Sequence, residues 1–137
     1  IIKNKYATFI GHKYHGKFYV ELEMEAPDAP ATNKVLSATA LKTAVQTITT
    51  GITNPDFPRV LSVTGNSSNV AGKVTITGTN IRGKVITEEI TLNGSATVAG
   101  TKAFRTVTSI QLPVYSVAGT ETVSVGITDK LGLQSIP

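Results

Sequence analysis

The chain has 137 residues, no Cys, no Trp and a formal net charge of +4. This length suits one domain that buries a core without disulfides or metal ions, and the absence of Cys excludes disulfides, zinc–thiolate sites and thiol nucleophiles. Charged residues make up 16% of the chain, against about 25% in an average domain. Thr, Val, Ile, Ser and Gly take their place, and β-branched residues favour strands. The composition therefore predicts an all-β protein.

The positive charge is scattered along the chain and is not interleaved with aromatic residues, so we expect no nucleic-acid partner. No apolar run approaches the roughly 20 residues that span a bilayer, and no membrane partner is expected. The opening stretch, IIKNKYATFIGHKYHG, is broken by Lys, His and Gly and does not resemble a secretory signal. Because the first residue is Ile1 and not Met, we expect a chain trimmed at its N-terminus.

Residues 1–30 differ in character from the rest of the chain. Four Lys come first and four acidic residues follow, and between positions 18 and 25 apolar residues alternate with Tyr and Glu. This alternation predicts one strand with an acidic, solvent-facing side. The sequence APDAPATN at 26–33 is expected to be a linker, because Pro cannot continue a strand ladder. We therefore interpret 1–30 as an N-terminal arm and 31–137 as the β-sandwich domain.

The arm is either an ordinary edge hairpin or a segment that binds a partner. Unpaired strand edges of such a protein are either protected or used for pairing with another chain. The candidate partner-binding residues of the arm are Lys3, Lys5, Tyr6, Phe9, Lys13, Tyr14, Phe18 and Tyr19.

The rest of the chain carries a series of strand patterns. Residues 36–50 fit an amphipathic helix about as well as a strand, and their Thr content makes the strand the preferred interpretation. On the later strands, apolar positions such as Val74 and Ile76 are expected to face the core. These strands are 60–64, 73–79, 85–92, 106–112 and 122–127, with a short one within the turn region 93–100. Their spacing is typical of a single β-sandwich or partly open barrel of about seven to nine short antiparallel strands.

Residues 78–85 read Gly-Thr-Asn-Ile-Arg-Gly-Lys-Val and match all but the last position of a nucleotide-binding P-loop. A P-loop needs a Ser or Thr hydroxyl to hold magnesium and a helix whose N-terminus cradles the phosphates. Val85 has no hydroxyl, and residues 85–92 alternate as a strand. The segment is therefore predicted to be a hairpin turn, with Asn80 and Gly83 in turn conformations.

Other candidates for chemistry are few. His12 and His15 are the chain's histidines, and we expect them to be solvated because a metal site needs further ligands on a rigid element. With no histidine elsewhere, the domain has no Ser-His-Asp triad. The adjacent Glu88 and Glu89 point to opposite faces of a strand and cannot act as a pair.

Asp56 and Asp129 lie in stretches typical of turns, where Asp makes local hydrogen bonds. No catalytic, cofactor-binding or metal-binding residue is predicted. We therefore expect a protein that is not an enzyme and uses no cofactor.

Four motifs together resemble a known family. They are N-P-D-x-P-R at Asn54–Arg59, the ITGTN…ITEEI hairpin at 76–90, GTKAF…VTSI at Gly100–Ile110 and V-G-x-x-D-K-L-G-L at Val125–Leu133. With these motifs, residues 36–133 resemble small β-rich virion proteins of tailed bacteriophages, which are typically structural or head decoration proteins. Residues 1–30 lie outside the resemblance.

The resemblance implies a non-enzymatic protein present in many copies on a phage particle. Decoration proteins of this kind stabilise capsids by bridging neighbouring subunits of the major capsid protein, often as trimers. The implied partners are thus the major capsid protein and further copies of this chain. The implied location is the surface of the virion head, after synthesis in the cytoplasm of a host bacterium. A small-molecule ligand is not expected.

An alternative is a tail or fibre component, or a carbohydrate-binding β-domain. Glycan-binding surfaces usually present exposed aromatic rings, and here three of the four Tyr residues belong to the arm. The sequence leaves this alternative open.

Overall fold

The computed structural model describes residues 2–8, 19–24, 27–116 and 120–132, and their secondary structure consists of ten β-strands without a helix. Consequently, this part of the chain has no helix long and apolar enough to cross a membrane. The strands are β1 (Ile2–Thr8), β2 (Tyr19–Met24), β3 (Ala31–Ala40), β4 (Gln46–Ile48), β5 (Arg59–Gly65), β6 (Lys73–Thr79), β7 (Val85–Thr91), β8 (Thr97–Phe104), β9 (Thr106–Leu112) and β10 (Thr122–Leu131).

Eight of the strands form two antiparallel sheets. The first sheet has the order β3-β10-β5-β8 and the second sheet has the order β4-β9-β6-β7. The two remaining strands, β1 and β2, pair with each other as an antiparallel hairpin. The all-β fold with two packed sheets confirms the predicted sandwich.

The core lies between the two sheets and is built from β-branched and Leu side chains with one aromatic ring. On β6, Val74 and Ile76 are fully buried, whereas Thr75 and Thr77 on the opposite face are half-exposed. The inward residues of both sheets form one cluster, which includes Leu61, Val63, Phe104, Val123 and Val125 from the first sheet and Val74, Ile76, Ile90, Ile110 and Leu112 from the second. Period-two alternation thus gives each sheet one apolar face.

The chain passes from the first sheet to the second at a sharp corner. Phe104 ends β8 with its side chain in the core, Thr106 begins β9, and only Arg105 lies between them. The peptide N–H of Arg105 donates to the carbonyl of Thr79, 2.7 Å away, which ties the corner to the end of β6. The Arg105 side chain is left exposed at the corner.

Most of the strand predictions are confirmed. Strands β6 and β9 have the predicted bounds, and β5, β7 and β10 differ from prediction mainly at their ends. The region 36–50 contains strand and no helix, but it is divided between β3 and β4, which belong to different sheets. The residues between them carry the chain across the sandwich.

Three predictions were wrong in detail. The predicted linker 26–33 is too long, because Ala31 already belongs to β3. A Cβ on Gly126 would lie 2.0 Å from the Ala31 carbonyl oxygen, so Gly126 is what lets β3 lie so close to β10. The region 93–100 holds the first half of a longer strand, β8. Asp129 lies within β10 and not in a turn, because β10 continues beyond Ile127 along β5 as far as the Leu131–Arg59 pair.

Candidate functional site

The structure brings part of the candidate partner-binding set together on one hairpin. Lys3, Lys5 and Tyr6 belong to β1 and Tyr19 begins β2, and the register pairs Lys3 with Glu23. A two-stranded hairpin is at best marginally stable by itself in water. The other candidates, Phe9, Lys13, Tyr14 and Phe18, lie outside the described residues, as do His12 and His15.

The near-P-loop segment is a hairpin turn, as predicted. The Asn80 side-chain oxygen Oδ1 accepts hydrogen bonds from the peptide N–H of Arg82 (2.9 Å) and of Lys84 (3.0 Å). Gly83 has a φ of +79°, a conformation that favours glycine. Strand β7 follows this turn, and two of the amides that would have to face a phosphate are occupied by Asn80. The segment is therefore not built to bind a nucleotide.

Arg59 at the start of β5 is a fully buried charged side chain, with 1% of its surface exposed. Its Nη1 donates to the Thr128 carbonyl (3.2 Å) and its Nη2 to the Asp28 carbonyl (2.5 Å) and to Asp56 Oδ2 (3.3 Å). Its Nε lies 3.0 Å from Asp56 Oδ1 but makes no hydrogen bond, so this last contact is an electrostatic attraction alone. Arg59 therefore joins β5, β10 and the segment that leads from the arm.

The same cluster fixes the point at which the arm joins the sandwich. The peptide N–H of Asp28 donates to Asp56 Oδ2 (2.8 Å), and the Asp28 carbonyl is held by Arg59. The Asp28 carboxylate also lies 3.4 Å from Lys34 Nζ, in a half-exposed ion pair that contributes little. Both backbone groups of Asp28 are thus bound, so the base of the arm has a defined position on the sandwich.

Glu88 connects the edge strands of the two sheets. Its carboxylate accepts hydrogen bonds from the Thr101 peptide N–H (2.5 Å), from Thr101 Oγ1 (2.9 Å) and from the Lys102 peptide N–H (3.3 Å). The residue is 8% exposed. A Cβ at Gly100 would lie 2.4 Å from Glu88 Oε1, so glycine is needed to let the carboxylate reach the backbone.

An irregularity in β8 makes this contact possible. Val60 of β5 pairs with Ala103, and Ser62 pairs with Ala99, so residues 100–102 lie opposite a single residue of β5. Residues in such a bulge leave the regular ladder. The free amides of the bulge face β7, where Glu88 accepts their hydrogen bonds. This arrangement closes one side of the sandwich.

Two edges of the sandwich are partly occupied. Lys102 Nζ donates to the Thr87 carbonyl on the edge strand β7, at 2.8 Å. The peptide N–H of Thr53 donates to the Val35 carbonyl on the edge strand β3, at 2.9 Å. Natural sheets limit unwanted pairing by placing Lys or a covering loop at an exposed edge. These contacts restrict the backbone available for strand addition on β7 and β3.

An open groove of about 600 Å³ lies beside the base of the arm. One wall is the turn 54–58, held in place by Asn54, whose Oδ1 accepts a hydrogen bond from the Val107 peptide N–H (2.9 Å). The other wall is the β6–β7 hairpin tip and the Arg105 corner. The lining residues are Asn54, Pro55, Asp56, Phe57, Pro58, Ile81, Arg105 and Thr106.

The electrostatics of the groove favour an acidic ligand. Asp56 is the acidic residue of its lining, and its carboxylate is already paired with Arg59. Arg105 is exposed and forms no ion pair with another described residue. Arg82, which follows the lining residue Ile81, and Lys84, in the same turn, are also exposed cations. The groove thus combines apolar walls with Arg105, a cation without an ion-pair partner among the described residues.

The described residues include no group of three His, Cys, Asp or Glu side chains that could hold a metal ion. Comparisons with protein-family models, with curated proteins and with solved structures find no match for this chain.

Sequence reasoning missed the buried charges of Arg59 and Glu88, although the alternation contained a signal for each. Arg59 lies two and four residues before the buried Leu61 and Val63, and Glu88 lies two residues before the buried Ile90. In a strand, each charged residue therefore points to the same face as those core residues. A charged residue in phase with an apolar face predicts a buried polar contact.

Proposed function

We propose that this protein is a non-enzymatic structural protein of a phage virion, and that it decorates the head by binding across neighbouring subunits of the major capsid protein. The resemblance of residues 36–133 to small virion proteins supports the virion assignment. The fold is compatible with it, since small β-rich virion proteins need a rigid scaffold and an attachment surface.

The anchored arm is the observation that carries the adhesive role. Arg59 and Asp56 hold both backbone groups of Asp28, so the base of the arm has a fixed position on the sandwich. A segment that projects from a fixed point can contact a neighbouring subunit with less loss of freedom than an unattached tail. The arm's basic and aromatic residues are therefore the proposed contacts with the capsid.

Capsid stabilisation follows from binding alone. A protein that binds only the assembled shell stabilises it by about 2.7 kcal/mol per site at a free concentration 100 times the dissociation constant. Repeated over a lattice of equivalent sites, this contribution needs no catalytic group.

The test is co-sedimentation of the purified protein with phage heads that lack it. We expect saturable binding with a fixed number of copies per head, and heads that resist heating better once they are coated. In the variant Lys3→Glu/Lys5→Glu binding should weaken, because two arm cations are reversed. The matched control is Lys42→Glu/Lys73→Glu, which makes the same charge change on exposed sandwich residues.

Two results would contradict the proposal. One is binding to heads no stronger than that of an unrelated β-domain. The other is immunogold labelling of tails but not heads, which would favour the tail or fibre assignment.

A further inference from the structure

We propose that the groove beside the Arg105 corner binds the acidic strand of the arm of a second copy of this chain, so that copies associate arm to groove. The proposal goes beyond capsid binding and does not require it, because self-association is measured on the purified protein.

The first argument is charge. Residues 1–30 contain four Lys and four acidic residues, so the whole net charge of +4 belongs to residues 31–137. Within that domain Glu88 and Glu121 are buried and Asp56 is paired with Arg59. The surface that remains is basic: Arg105 lines the groove, and the exposed cations Arg82 and Lys84 belong to the turn that contributes Ile81 to the lining.

The second argument is the match between the groove and one segment of the chain. Residues 20–25 read Val-Glu-Leu-Glu-Met-Glu, three acidic residues that alternate with three apolar ones. Alternate residues of an extended strand lie about 7 Å apart. The groove offers Phe57, Pro58 and Ile81 as apolar surface and the Arg105 guanidinium as a partner for a carboxylate. The exposed cations Arg82 and Lys84 lie in the turn that carries Ile81. No other stretch of the sequence combines three acids within five residues.

The third argument is that the groove is already formed. Asn54 holds the wall 54–58 through its hydrogen bond to Val107, and Asn80 holds the hairpin tip through two peptide amides. A site whose walls are fixed before binding loses less conformational entropy when it is occupied.

The position of the arm's base favours another copy as the donor. Asp28 is held against Asp56, which itself lines the groove, so the arm starts at the groove wall. Only residues 25–27 separate this anchor from the end of β2. This short span leaves the arm's own strand little freedom to fold back onto the groove, whereas the arm of a second copy has no such constraint. In such an arrangement the arm of one copy binds the groove of the next, so the contact is heterologous. The copies form a closed ring when the rotations between successive copies add up to a full turn.

The experiment compares the mass of full-length variants across a concentration series, by size-exclusion chromatography with light scattering. The groove variant is Arg105→Glu and the arm variant is Glu21→Lys/Glu23→Lys/Glu25→Lys. We expect the unmodified protein to associate and each variant to associate at least about tenfold more weakly, since an attraction becomes a repulsion. Lys73→Glu, at the opposite end of β6 from the hairpin tip, is the control and should associate like the unmodified protein.

Mixing the two variants separates this arrangement from a symmetric contact. In the mixture, the acidic arm of the groove variant meets the Arg105 groove of the arm variant and the Lys arm of the arm variant meets the Glu-bearing groove of the groove variant, so the mixture should associate although neither variant does so alone. A chain carrying both sets of reversals should regain association, because the charges are again complementary. Urea unfolding of each variant checks that the sandwich is intact.

Three results would overturn the inference. They are an unmodified protein that remains a monomer across the series, a groove variant that associates as well as the control, and a mixture that forms no complex. Co-sedimentation with phage heads is scored separately, so loss of head binding with intact self-association would count against the proposed function and not against this inference.

Discussion

The Glu88 carboxylate of β7 accepts a hydrogen bond from the peptide N–H of Thr101 in β8, with a distance of 2.5 Å between the two atoms. These strands are the neighbouring edges of two different sheets, so a side chain takes the place of a backbone ladder between them. Hydrogen bonds to an ionised carboxylate are about twice as strong as neutral ones. The contact therefore closes the sandwich along this side.

We predict that Glu88→Ala lowers the free energy of unfolding by about 2–4 kcal/mol, because buried peptide N–H groups lose their acceptor. Glu88→Gln keeps the shape and one acceptor oxygen and should cost less. Urea unfolding measures both. The control is Glu89→Ala, which removes an exposed carboxylate on the next residue and should change stability by less than about 0.5 kcal/mol. Equal losses for Glu88→Ala and Glu89→Ala would show that the Glu88 contact contributes nothing.

We predict that Arg59→Leu costs about 3–5 kcal/mol, because removing one partner of a buried ion pair leaves the other partner, here Asp56, and the bound carbonyls unsatisfied. It should also release the arm base, so limited proteolysis within residues 24–30 should become faster. Lys34→Ala removes only the half-exposed ion pair with Asp28, and we expect a loss below about 1 kcal/mol. Cleavage at the same rate in Arg59→Leu and the unmodified protein would contradict the anchoring role.

The hairpin tip gives a third prediction. Asn80→Ala removes the acceptor of two peptide N–H groups and should cost about 1–2 kcal/mol, while Gly83→Ala should cost about 1 kcal/mol because φ is positive at this position. Arg82→Ala, an exposed side chain of the same turn, is the control. Calorimetric titration with magnesium ATP should give no binding heat, and heat that disappears in Lys84→Ala would restore the nucleotide interpretation.

Regular alternation made much of the fold predictable from the sequence. Strand β6 follows it without interruption, and strand β9 follows it apart from one change of phase between Val107 and Ile110, so the bounds of both could be predicted. Asn80 and Gly83 identified the hairpin because each residue type suits its place in the turn. The absence of a helix after Lys84 also followed from alternation.

Other features depend on contacts between distant residues and could not be located from local pattern. Strand β8 contains Gly100 and three Ala or Val residues near a bulge, so its alternation is weak, and the amides of the bulge find their acceptor in Glu88 on another strand. The groove joins the turn 54–58 to a hairpin tip and a corner that are far apart in sequence. Their proximity results from the order of strands in the sheets, which the sequence pattern leaves open.

The last prediction concerns the exposed edge of β7. Lys102 places its ammonium group on the Thr87 carbonyl, where an incoming strand would have to pair. Lys102→Thr keeps a residue suited to a strand but removes the charge, so we expect faster aggregation, measured by light scattering below the unfolding temperature. The unfolding free energy should change by less than about 1 kcal/mol, since Lys102 is exposed. Lys130→Thr, an exposed residue of β10, makes the same change in net charge away from this edge and is the control. If the two variants scatter light equally, the aggregation results from the lower net charge that they share. The protective role of Lys102 would then be rejected.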